Sequence, residues 1–182
     1  MEVLYFNFKW MAFNIFLACI PVVLAQVVFT KRFTILKLVG SLTWFIFLPN
    51  TIYLVTDIVN LVSDARVISG TYLVADAALF LSLIPIGIIT LVLSISPFEK
   101  LFIKRRNGIL LGVLNLFIGF GLVLGRVQRV NSWEILINQQ NVVSNSLVIL
   151  KSAELLVVVV LFALLSQVIY LKFRNTVLSV FK

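Results

Sequence analysis

Histidine is absent from all 182 residues. That absence excludes histidine-based acid–base chemistry and Ser-His triads, and leaves a zinc site only an unusual ligand set. Cysteine is nearly as scarce: the single Cys19 cannot form an intrachain disulfide. Apolar sequence continues past Phe16-Leu17-Ala18-Cys19, so a buried structural thiol is expected there rather than a lipoprotein processing site. Acidic residues number seven, and all charged residues together make up 12 %, about half the usual share of a soluble domain. Stretches without long apolar runs are also rare. No connection between such runs exceeds roughly twenty residues, too short for a separate soluble domain of fifty or more.

What fills the chain is hydrocarbon. Apolar residues reach 62 %, against about 45–50 % in soluble domains, and the mean hydropathy is +1.14. This composition describes an all-α, polytopic transmembrane helix bundle forming one domain over residues 1–182. The net charge of +8 does not point to nucleic acid, because the basic residues sit in short clusters at the ends of apolar runs, where they act as topology signals.

About five spans are expected, over residues 10–29, 33–55, 71–96, 108–127 and 147–171, with a short interfacial helix over 132–145. The first run lacks the basic leader and small-residue exit of a cleavable signal peptide. Asn14 and Pro21 interrupt it. In the second, Leu48-Pro49 predicts a kink or break, since the residue before proline is pushed from helical dihedrals. The third carries Asp76 and Pro85 and is expected to end at Ser96-Pro97. In the fourth, Gly108, Gly112, Asn115, Gly119 and Arg126 share one helical face, suited to close helix packing. Lys151 and Glu154 are spaced for an i,i+3 pair. No inverted repeat of the transporter kind is present.

Lys31, Arg32, Lys37, Lys100, Lys104, Arg105, Arg106, Lys172, Arg174 and Lys182 fall on one side of such a bundle, against Lys9, Arg66, Arg126, Arg129 and Lys151 on the other. Ten basic residues against five put the first group in the cytoplasm, leaving the N-terminus outside and the C-terminus inside. The expected location is the bacterial cytoplasmic membrane.

The most informative stretch runs from Trp44 to Asp64. On a helix, Thr43, Asn50, Tyr53, Asp57, Asn60 and Asp64 fall on one side, yet the segment begins in hydrocarbon, where a central carboxylate costs about 2.5–3.5 kcal/mol. That stripe must face protein, water or a ligand. The end of the fourth run delivers Arg126, Arg129, Asn131 and Trp133 to the same membrane face, and Asp76 begins the third run there. An arginine beside Asp57 would hold it ionised, and an arginine pair with one charge left over would clamp a carboxylate or phosphate. The alternative needs no ligand: Arg126 and Asp57 fix packing, Arg129 snorkels to headgroups, and Asp76 pairs with Arg66 or Arg126. Asn131-Ser132-Trp133-Glu134 likewise reads as a capping box opening a short helix, with Trp133 an interfacial anchor.

Three motifs, FNIFLACIPVVLA, FLPNTIYLVTDIVNL and GLVLGRVQRVNSWE, resemble in order and spacing the bacterial membrane family catalogued as domain of unknown function 1361. The resemblance covers about residues 14–133 and implies motif positions at Asn14, Pro21, Pro49, Asn50, Tyr53, Thr56, Asp57, Asp76, Gly125, Arg126, Arg129, Asn131, Ser132 and Trp133. It implies no assigned activity. The chain departs from the family pattern at Asn60, where a histidine is usual, at Val130, where a tryptophan is, and at Glu134, where an aspartate is. It also lacks a leading span, consistent with an outside N-terminus.

The favoured expectation is an extracytoplasmic pocket formed by Asn50, Tyr53, Asp57, Asp76, Arg126, Arg129, Asn131 and Trp133, binding or transporting a small anionic solute or lipid headgroup. The alternatives are an accessory subunit that docks a membrane-protein partner through Gly108, Gly112 and Gly119, and an enzyme acting on a lipid-linked substrate with Asp57 as base. With no nucleophile or metal set in view, catalysis is the least favoured, and no cofactor or metal is expected. The polar segments are predicted to surface together: Asn60→Cys and Ser132→Cys should both react with an impermeant thiol reagent from the same compartment, and labelling from opposite sides would contradict that arrangement.

Overall fold

A backbone in hydrocarbon must satisfy its own polar groups, which favours helix wherever the run is long enough. The computed structural model describes residues 2–29, 35–102 and 108–181, and among the described residues no strand occurs. In chain order the helices are α1 (Glu2–Val28), α2 (Ile35–Phe47), α3 (Pro49–Thr56), a 3-10 turn (Asp57–Val59), α4 (Asn60–Asp64), α5 (Thr71–Phe102), α6 (Gly108–Arg126), α7 (Glu134–Ile137), α8 (Gln139–Lys151) and α9 (Ala153–Val180). Five stretches are long and apolar enough to cross a membrane: Glu2–Val28, Lys37–Thr56, Thr71–Phe102, Gly108–Arg126 and Ala153–Val180. The basic residues Lys31, Arg32, Lys104, Arg105, Arg106 and Lys182 lie outside the described residues.

The first helix starts at Glu2 rather than at the apolar run beginning with Trp10. It buries Asn7, Met11, Asn14, Ala18, Pro21 and Ala25, a spacing of three and four that makes one seam facing the bundle. Cys19 falls off this seam and is exposed, contrary to the expected buried thiol. Outward positions such as Phe6, Phe16, Val23 and Leu161 form an apolar exterior, the surface a bilayer would cover.

Proline shapes the bundle less than expected. Pro21, Pro85 and Pro97 all lie within helices, and α5 continues to Phe102 instead of ending at Pro97. At Pro49 the helix does divide, but Leu48 keeps helical dihedrals (φ −54°, ψ −40°); the break comes from the missing donor. Side chains take up nearby carbonyls: Asn50 Nδ2 donates to Phe47 O at 3.0 Å and Thr51 Oγ1 to Leu48 O at 2.8 Å. Gly121 makes room for the proline, since a Cβ there would lie 2.4 Å from Pro49 Cγ.

The segment expected as one interfacial helix over 132–145 is two, α7 and α8, separated by Asn138 at φ −140°, ψ 63°, whose side chain caps α8 by accepting from Asn141 N at 3.4 Å. Ser152 then breaks the chain again and caps α9, accepting from Leu155 N at 3.3 Å. The helix expected from 147 onward is therefore interrupted. Lys151 and Glu154 end up on different helices and form no ion pair, because their i,i+3 proximity requires an unbroken helix.

Asn7 meets Asp76 near the starts of α1 and α5, while Glu99 and Arg174 meet near the ends of α5 and α9 at 2.5 Å. These three helices thus run in one direction, and Tyr170 also donates to Glu99 at that far end. Between the two polar layers lies a core containing Trp44, Ile52, Leu91, Ile95, Ile118 and Tyr170. Asn115 bridges α6 to α9 within it, accepting from Ser166 Oγ at 2.7 Å.

The expected glycine face of α6 is used inside the chain. A Cβ on Gly119 would lie 2.3 Å from Val159 O and 2.9 Å from Ala163 N of α9; on Gly112 it would meet only Gln167 Oε1 at 3.8 Å; and on Gly108 nothing within 4 Å. Only Gly119 of the three is required for close packing. Gly119→Ala should therefore lower stability by about 1–3 kcal/mol through overpacking, while Gly108→Ala should be neutral or slightly stabilising, as measured by unfolding in mixed micelles.

Candidate functional site

The polar stripe turns inward. Where α3 gives way to the 3-10 turn, Asp57 is fully buried, and a charge in that setting needs a partner and further hydrogen bonds. Arg126, the last residue of α6, provides the partner through an ion pair from Nη2 to Asp57 Oδ1. The same guanidinium donates from Nη2 to Tyr53 O at 3.2 Å, from Nε to Thr56 Oγ1 at 3.1 Å and from Nη1 to Asn60 Oδ1 at 3.4 Å. Its central carbon lies 4.2 Å from the Tyr53 ring centroid, a cation–π arrangement. Asn14 of α1 donates to the other Asp57 oxygen at 3.4 Å.

This geometry decides what Arg126 is able to do. A guanidinium has five N–H donors, and four of its bonds already end on the stretch from Tyr53 to Asn60. Arg126 joins α6 to the α3–α4 corner and has little capacity left for a ligand. Arg129 does not join it on Asp57. It is exposed, adopts a left-handed φ of 55° in the turn that ends α6, and makes no hydrogen bond or ion pair with a described residue. That conformation is uncommon for a residue with a side chain, and it accompanies backbone bonds from Gln128 N to Val123 O at 3.2 Å and from Val130 N to Leu124 O at 3.1 Å. The two-arginine clamp around one carboxylate is thus not formed.

Asp76 also departs from expectation. It pairs with neither Arg66 nor Arg126; fully buried, it accepts from Asn7 Nδ2 at 2.9 Å, and Asp64 accepts from the same nitrogen at 3.0 Å. Asn50 donates across the bundle to Ser132 Oγ at 2.9 Å. Asn131 N donates to Glu134 Oε1 at 2.7 Å, half of the expected capping box, but the Asn131 side chain also donates to Glu134, at 3.1 Å, instead of accepting from the helix start. The bond from Asn131 N, followed by that from Asn141 Nδ2 at 2.8 Å, holds the Glu134 carboxyl below its ordinary pKa. Trp133 packs edge-on against Phe13 with ring centroids 5.4 Å apart.

A polar cavity of about 50 Å³ lies beside the ion pair, lined by Trp10, Asn14, Asn50, Tyr53, Asn131 and Ser132 together with Pro49, Gly121, Gly125, Val130 and Leu17. Asn50, Tyr53 and Asn131 among the expected site residues reach it; Asp57, Asp76, Arg126, Arg129 and Trp133 do not line it. Among the described residues, no three of Cys, Asp and Glu converge as a metal set would require. Sequence reasoning passed over Asn7 and Trp10. The available signal was that Asn7 and Asn14, seven residues apart, share one helical face.

Fold and site together define a multi-pass helical membrane protein closed at one end by a buried acid–arginine pair. The chain belongs to the family described as Protein of unknown function (DUF1361), whose model matches residues 13–169, as the three motifs had implied. Neither a curated protein nor a solved structure matches it. Removing one partner of a buried pair leaves an uncompensated charge, so Arg126→Ala should cost about 3–5 kcal/mol. Arg126→Lys should recover little of that, because one ammonium cannot reproduce the spread of planar donors; unfolding midpoints in micelles would measure both.

Proposed function

We propose that this is a multi-pass protein of the bacterial cytoplasmic membrane that binds an anionic membrane lipid at the end carrying Asp57 and Arg126, with that end facing outward. The outward assignment rests on the ten-to-five distribution of basic residues. The lipid assignment rests on one observation: Pro49, Gly121, Val130, Asn131 and Ser132 line both the polar cavity and an apolar groove of about 430 Å³. The groove runs between Leu42, Phe45 and Ile46 of α2 and Phe117, Phe120 and Leu124 of α6, with Ile135 and Val142 beyond. Its walls suit an acyl chain. The polar cavity has room for a water or two, so a free solute of any size would find no enclosure, whereas a lipid polar group at the cavity mouth with its chain in the groove fits both.

Arg129 supplies the charge in this reading. It is exposed, adjoins Val130 on the shared wall and has no ion-pair partner among the described residues. Arg126 serves the same site indirectly by holding the α3 corner against α6. The accessory-subunit reading loses its main support because α9 covers Gly119. An enzymatic role for Asp57 as base is disfavoured by its complete burial and its bond to Arg126.

Native mass spectrometry after incubation with phosphatidylglycerol or phosphatidylcholine tests the proposal. The wild type should retain phosphatidylglycerol in preference. Arg129→Gln should weaken that preference about fivefold, the effect of roughly 1 kcal/mol per basic residue at a lipid surface. Leu124→Trp, which fills the groove, should reduce retention of both lipids. Equal retention of both lipids by all three proteins would overturn the reading.

A further inference from the structure

We propose that Asp64 and Asp76, joined by Asn7, share a single proton and form a proton-binding site distinct from the Asp57–Arg126 pair. Three separate elements bring the groups together: Asn7 comes from α1, Asp64 from the end of α4 and Asp76 from the second turn of α5. The single amide nitrogen Asn7 Nδ2 donates to Asp64 Oδ2 at 3.0 Å and to Asp76 Oδ1 at 2.9 Å. The two carboxyl oxygens are therefore less than about 6 Å apart, and the amide's two hydrogens are both committed.

The second observation is an orphan. Asp76 is 0 % exposed, and its other oxygen, Oδ2, is buried without any hydrogen-bond partner. An unmet acceptor on a buried carboxylate is costly, and two carboxylates this close, one of them fully buried and the other partly so, do not both ionise freely. One proton removes one of the two negative charges, and its O–H supplies a donor to a cluster that has a single amide to serve two acids. The protonation then belongs to the pair rather than to either residue.

Among the described residues no base offers an alternative. On α1, Lys9 lies 4.3 Å from the Tyr5 ring centroid and makes no ion pair, and Glu2 is a further acid. On α3 and the 3-10 turn, the titratable groups are Tyr53, a neutral phenol, and Asp57, and both are engaged with Arg126 of α6. Arg66, just beyond α4, is exposed and unpaired among the described residues. At the other end of α5, Glu99 and Arg174 of α9 satisfy each other.

The pair has a structural consequence. Helix α4 buries none of its residues fully; beyond Leu61, which packs against the cluster of Met11, Leu54 and Phe80, it is attached by Asp64 with Asn7 and Asn60 with Arg126. Loss of the shared proton places two like charges across the α4–α5 contact and loosens α4.

Infrared difference spectroscopy of the detergent-solubilised protein reads the proton directly. At neutral pH the wild type should show the carbonyl stretch of a protonated carboxylic acid, shifted by deuterium exchange and fading only as the pH is raised. Asp64→Asn and Asp76→Asn should each lose the equivalent of one protonated carboxyl per chain. A wild type without that band at neutral pH overturns the proposal without recourse to any variant, as does a band of equal size in wild type and Asp64→Asn, the more exposed and milder change. Stability gives an independent sign. A folded state that holds the proton more tightly than the unfolded chain, whose aspartates titrate near about 3.9, loses stability as pH rises above that value. The wild-type unfolding midpoint should fall with pH more steeply than that of Asp64→Asn, and parallel profiles would contradict the shared proton.

Discussion

The structure depends on a buried ion pair, Asp57 with Arg126. Taking two charges out of water costs several kcal/mol per ion, and the loss is recovered only when geometry and extra hydrogen bonds are good. Here Asn14 serves the acid, while Tyr53, Thr56 and Asn60 serve the base. All the acceptors of Arg126 come from one short stretch of chain, so a single residue at the end of α6 fixes the corner where α3 tightens into a 3-10 turn and becomes α4. Once that corner is held, Asn50 reaches Ser132, and the polar cavity takes its shape between them.

Small residues and prolines set how closely the helices approach that corner. Pro49 sits against Gly121, Tyr53 against Gly125, and Val55 with the Thr51 carbonyl against Gly87. In each case a side chain on the glycine would meet an atom at 3.3 Å or less, so α3 is seated between α5 and α6 by absence of bulk. Without a hydrophobic driving force between helices in lipid, such close packing together with polar contacts is what holds a bundle together. The other end is organised by Glu99, Tyr170 and Arg174, giving the molecule a polar clasp at each end of an apolar core.

Helix α1 links the two polar clusters at the site end. Asn14 serves Asp57 and Asn7 serves Asp64 and Asp76, so the clusters are neighbours along one helical face yet differ in kind. The first contains its own base, which fixes it. The second contains two acids and one amide, which leaves it responsive to protons. The apolar groove is lined by none of these acids; it shares its wall with the polar cavity.

Much of this was legible in the chain. Long apolar runs, the change of character after Pro49 and the spacing of Tyr53, Asp57 and Asn60 specify helices and a polar face, because those properties are local and repeat with the helical period. The Gly-Arg-x-x-Arg motif identified Arg126 as a partner for Asp57, since a buried acid in hydrocarbon has few remedies. Helix ends were less legible: the capping side chain of Ser152 competes with the apolar sequence on either side of it, Asn138 caps a helix inside a polar segment with no strong period of its own, and Pro97 is accommodated when neighbours and side chains compensate. Choice of partner was decided by tertiary structure alone. Asp76 meets Asn7, Asp57 pairs with Arg126 and not with Arg129, and Gly119 rather than Gly108 touches α9, because each depends on how helices distant in sequence are placed, and a hydrogen bond or a steric contact is settled over less than an ångström, below anything periodicity encodes.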